Sequence, residues 1–135
     1  MFKMTEEKLK KERMMEYQFL EQQIQNLNNN LNSIEQNLIE IKSMIKTLVE
    51  FKSLKKGDKI KASLSNGIFA EAVLRNTKNL QVNVGGQVVV SKTVDETKEM
   101  LETQLEELEK YRKQTMSYYN EIYARLEQIQ KNSTQ

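Results

Sequence analysis

Between Tyr17 and Leu48 an apolar residue recurs every third or fourth position, through Leu20, Ile24, Leu27, Leu31, Ile34, Leu38, Ile41 and Ile45. A repeat averaging 3.5 residues keeps one narrow seam turned toward a partner helix and winds the pair into a left-handed coiled coil. A second series closes the chain: Val94, Leu101, Leu105, Leu108, Tyr119, Ile122, Leu126 and Ile129. Between the two lies a stretch of alternating apolar residues punctuated by glycines. The order helix, small β region, helix follows.

The spacing predicts a first helix from about Glu6 to about Lys52, roughly 70 Å at the α-helical rise. It ends where seam positions become Lys52 and Lys55 and Gly57 offers a stop. The second helix is expected from Thr93, with Glu96 three residues on as the other half of a capping box. It should run to about Lys131, roughly 58 Å by the same rise. Similar lengths suggest an antiparallel pair, with Leu48 near Leu101 and Ile24 near Leu126. The second seam passes through Arg112 and Thr115, with Tyr111 and Tyr118 beside it. Polar seam residues cost stability and fix register; the alternative reading is a local loosening.

Asp58–Leu64 and Ile68–Leu74 flank Ser65-Asn66-Gly67, a strong short hairpin signal. Leu80–Val84 and Gln87–Ser91 flank Gly85-Gly86 as a second hairpin. Two short hairpins leave open edges and are marginally stable alone. The expected remedy is strand contact with another subunit through Ile60, Ala62, Leu64, Ile68, Phe69, Val73, Leu80, Val82, Val84, Val88 and Val90. The fold class is therefore α+β: an antiparallel coiled coil over residues 1–56 and 93–135, with an oligomerising double hairpin over 57–92.

Composition narrows the function. The 135 residues include no proline, cysteine or histidine. Their absence suits unbroken helices and excludes disulfides, His-based catalysis and the usual zinc ligand sets. No run approaches a membrane span and the charged N-terminus does not resemble a signal peptide, so a cytoplasmic protein is expected. Gly85-Gly86 lacks the context of a phosphate loop. Glu102, Glu106, Glu107 and Glu109 read as solvated surface with no pocket, and no cofactor or metal is expected. Lys52, Lys55, Lys56, Lys59 and Lys61 form the single basic stretch. A net charge of +2 and few aromatics argue against nucleic acid, and charge on strand edges is the simpler reading.

The segment Gly67-Ile68-Phe69-Ala70-Glu71-Ala72, then Val82-Asn83-Val84-Gly85-Gly86, resembles the centre of the alpha-class subunit of prefoldin. So does Val88-Val89-Val90-Ser91-Lys92-Thr93-Val94-Asp95-Glu96, leading into the second helix. Two hairpins rather than one favour the alpha class over the beta class. The resemblance implies a non-enzymatic, ATP-independent chaperone of the archaeal type. Two alpha-type chains would join through a β-barrel platform, add beta-type subunits to make a hexamer, and pass unfolded clients to a group II chaperonin. Ser63-Leu64-Ser65-Asn66 departs from the family's usual run before the first glycine, which leaves self-assembly open as an alternative.

A holdase needs apolar surface outside the seam. With Tyr17 at position a, Phe19 falls at c, Met15 at f and Met14 at e. Met15 and Phe19 are four apart and share a helix face. Phe2, Met4 and Leu9 would extend that supply. On the other helix, Tyr123 falls at e, while Leu126 and Ile129 are seam residues near the same end. Met14, Met15, Phe19, Tyr123, Leu126 and Ile129 are the candidate client-binding set. The competing reading is a coiled-coil spacer or tether that binds no client.

Overall fold

The structure is a computed structural model that describes residues 2–133, with side-chain environments over 5–132. The elements are α1 (Phe2–Phe51), β1 (Lys59–Ser65), β2 (Ile68–Val73), β3 (Asn79–Asn83), β4 (Val89–Thr93) and α2 (Val94–Ser133). They divide into two compact units, Met1–Leu38 with Glu107–Gln135, and Ile39–Glu106.

In the first unit the two helix segments run antiparallel. Glu16 of α1 pairs with Arg125 of α2, while Glu35, further along α1, pairs with the earlier Arg112. Ile34 and Leu38 are buried, as are Ile122, Leu126 and Ile129 of α2. Leu20, Ile24, Leu27, Leu31 and Tyr119 are half-buried. The seam is therefore the stripe that the heptads specify. Thr115 sits buried in it, and its Oγ1 donates to the Tyr111 carbonyl at 2.9 Å, which satisfies the hydroxyl locally. Arg112, expected in the seam, instead reaches out to Glu35. A buried, unpaired guanidinium would be far more costly than an exposed ion pair.

In the second unit α2 begins with the expected capping box. The Thr93 amide donates to Glu96 Oε1 at 3.3 Å and the Glu96 amide to Thr93 Oγ1 at 3.1 Å. Val94 and Leu101 are buried behind it. Lys52 bridges to Asp95, and that hydrogen-bonded charge holds the Asp95 carboxyl below its ordinary range. Leu80 and Val82 of β3 share an apolar groove with Met44 and Leu48 of α1 and Met100 and Leu101 of α2. Leu80 and Val82 are half-buried there.

Each hairpin is a separate two-stranded antiparallel sheet. In the first, Ile60 faces Ala72 and Ala62 faces Ala70, and the register slips between Ser63 and Ser65. Gly67 alone of the two loop residues takes positive φ (77°). A type I′ turn needs positive φ at both central positions, so Asn66-Gly67 forms another turn and the slip absorbs the mismatch. In the second hairpin the expected Gly85-Gly86 centre moves one residue on. The Val88 amide donates to the Gly85 carbonyl at 3.0 Å, with Gly86 (φ 57°) and Gln87 (φ 64°) between them. That is a type I′ turn with a glutamine in a left-handed position, where an L-residue costs about 1–2 kcal/mol. Gln87→Gly is expected to gain about 0.5–1 kcal/mol after the entropy cost of glycine. Thermal unfolding at fixed protein concentration would read this, and Gln87→Val should shift the midpoint the opposite way.

Candidate functional site

Among the described residues, two clusters of exposed apolar side chains stand out from those exposed singly along the helices, such as Ile39 and Val49. The first lies on the helix pair of the first unit. Met14, Met15 and Phe19 project from α1, with Phe19 62% exposed. They fall outside the a and d positions, so the seam cannot cover them. Tyr123 is also exposed and stacks on Tyr119, ring centroids 6.3 Å apart. Beside them Arg125 Nε donates to Glu16 Oε1 at 3.0 Å and Arg125 Nη1 to Gln128 Oε1 at 3.2 Å. The first contact ties the two helices together next to the apolar residues, and the second lies within α2.

The six residues of this candidate set are not alike. Leu126 and Ile129 are buried in the seam, Ile129 being only 4% exposed. Leu9 is exposed, whereas the side chains of Phe2 and Met4 lie outside those described. The sequence reading missed Met116, which is exposed one heptad before Tyr123. That spacing was the available signal.

The second surface is the pair of hairpins in the second unit. Period-two alternation divides the first hairpin between its faces. Ile60 and Ala62 are half-buried with Ala70 and Ala72, while Phe69 and Val73 on the other face are exposed. Leu64 and Ile68, at the turn, are exposed too. In the second hairpin Leu80, Val82 and Val90 are half-buried, and Val84 and Val88 are exposed. Val89, which the sequence reading passed over, is also exposed. Every strand has one edge without a ladder partner among the described residues. Apolar faces beside open edges are the features that drive strand-mediated association.

Among the described residues no group of three or more His, Cys, Asp or Glu side chains is placed to hold a metal ion. No described helix is long and apolar enough to cross a membrane.

An antiparallel helix pair in one unit and two open-edged hairpins in the other define a class of coiled-coil protein with a small β region between its helices. Comparison with known proteins gives the same class a family. Residues 20–135 match the family model described as Prefoldin subunit. The prefoldin subunit alpha of Thermofilum pendens is 28% identical over 115 residues, covering 85% of this chain and 89% of that protein. The prefoldin subunit alpha of Archaeoglobus fulgidus is 25% identical over 127 residues, covering 94% and 93%. The fold is shared with filamentous PFD from Methanocaldococcus jannaschii, at a TM-score of 0.76 and 17% identity, over 85% of this chain and 95% of that one. The chain belongs to the prefoldin family as an alpha-type subunit, in a family of chaperones that work without catalysis.

Proposed function

We propose that this chain is a subunit of an ATP-independent holdase that works in the cytoplasm. It captures unfolded proteins at the ends of its coiled-coil arm and passes them to a group II chaperonin. The observation that carries this reading is the exposure of Met14, Met15, Phe19 and Tyr123 outside the seam. A spacer has no use for large apolar side chains there. Methionine is unbranched and polarizable, so it adapts to varied apolar partners. Each fully buried side chain contributes about 1.5–3 kcal/mol, so a few such anchors give reversible capture, and several arms on one client add avidity. Leu126 and Ile129 would join only where the last turns of the helix pair part.

Assembly uses the hairpins. The exposed Phe69, Val73, Val84 and Val88 pack against a second copy in a shared β-barrel, and beta-type subunits complete a hexamer. No nucleic acid, membrane or cofactor enters this scheme.

The test follows light scattering from a denatured client diluted without ATP, in the presence of the wild type or Met15→Ser with Phe19→Ser, each with a beta-type partner. The wild type should suppress scattering. The variant should keep its helicity and assembly and lose most of the suppression. A wild type that assembles and suppresses nothing would leave the spacer reading in place.

A further inference from the structure

Charge is unevenly divided in the second unit. Residues 52–92 hold eight Lys and Arg against two carboxylates, Asp58 and Glu71, in a chain of net charge +2. Lys55, Lys56, Lys59, Lys61, Arg75 and Lys78 are all exposed. None of the six forms an ion pair among the described residues. Only Lys59 and Lys61 lie in a strand, so protection of sheet edges does not account for the other four.

Directly after this segment, α2 carries Asp95, Glu99, Glu102 and Glu106 at spacings of four, three and four. That spacing sets them along one helix face, and all four are exposed. Lys52 bridges Asp95 and Lys98 lies 3.9 Å from Glu102, which leaves Glu99 and Glu106 without an ion pair among the described residues. One unit thus displays a basic segment and an acidic stripe of opposite charge, with Lys52–Asp95 as the one ion pair between them among the described residues.

We propose that the basic hairpin segment of one copy docks on the acidic α2 stripe of a second copy. Each copy gives a different surface to the contact, so a two-fold pair makes it twice, each copy's hairpin segment on the other's stripe. It rests on the reading above that the hairpin region is the assembly surface, and it sets the direction in which copies meet. Charge complementarity selects this occupant over nucleic acid. Phe69 is the one aromatic residue between 52 and 92, too few for a base-stacking platform. The acidic stripe would also repel phosphates, whereas in a second copy it is the attractive element. Charge patterns of this kind fix partner orientation and reject wrong pairings.

The experiment measures self-association of the full chain by sedimentation at low and high salt. One variant combines Glu99→Lys, Glu102→Lys and Glu106→Lys, and the other Lys55→Glu, Lys59→Glu and Lys61→Glu. Each alone should associate roughly tenfold or more weakly than the wild type at low salt, because it repels its own copies. Mixed, they should regain wild-type association, since each reversed surface then meets its opposite. High salt should weaken the wild type and erase the gain on mixing. A mixture no stronger than its components overturns the proposal, as does a wild-type chain that stays monomeric at low salt. Phe69→Ser with Val73→Ser separates the two readings. If that variant is monomeric while both charge reversals associate normally, apolar assembly stands and this contact is wrong. If it associates normally while the charge reversals fail and rescue one another, the apolar assembly is wrong and this contact stands.

Discussion

Ile34→Ala is expected to remove about 2–3 kcal/mol of folding stability, whereas Ile39→Ala should leave it within about 0.5 kcal/mol. The residue type is the same and the positions are five apart on one helix. Ile34 is 4% exposed and Ile39 is 65% exposed. Truncating a core isoleucine removes its transfer free energy and leaves space that neighbours only partly refill. No large side chain among the described residues is wholly buried. Water and adjacent seam residues can reach the Ile34 space, which sets the cost at the lower end of the range for core truncations. Denaturant unfolding followed by helical circular dichroism, at one protein concentration, reads both. Equal losses would mean that the seam does not run through Ile34.

That contrast also marks what the sequence could reveal. Seam residues are legible because a 3.5-residue repeat has one solution, and Ile34, Leu38, Ile122, Leu126 and Ile129 are buried where it puts them. The capping box is legible because Thr93 and Glu96 each have one nearby amide to satisfy. Turn geometry is less so. Asn66-Gly67 and Gly85-Gly86 both announce hairpins, yet which residues take positive φ depends on how the flanking strands twist and pair. The register slip at Ser63 and Ser65 and the left-handed Gln87 emerge only from that pairing. Arg112 holds a seam position by spacing, and its long side chain escapes to Glu35, an option that counting positions does not register. The candidate capture site is half-legible for the same reason. Heptad phase puts Met15 and Phe19 outside, but it cannot weigh Leu126 and Ile129 as both seam and site, and packing keeps them in the seam.

Phe69→Ser with Val73→Ser should break assembly and leave the helices intact. Both residues lie on the exposed face of the first hairpin, four apart on β2, with Glu71 between them on the same face opposite Lys61. More than half of each side chain is exposed and neither lies against a helix seam, so replacing them removes little packing and helicity should hold. In an assembly, full burial of each would contribute about 1.5–3 kcal/mol. Losing both therefore weakens association by about 3–6 kcal/mol, on the order of a hundredfold to ten-thousandfold in Kd. A two-stranded hairpin is marginal alone, so the association also holds the strands in place. The expected result is a monomer in sedimentation under conditions where the wild type is oligomeric, with unchanged helical circular dichroism and faster amide exchange in β1 and β2. Faster exchange with assembly preserved would assign Phe69 and Val73 to hairpin stability and move the contact to Val84, Val88 and Val89. An oligomer with unaltered exchange would remove the first hairpin from the interface altogether.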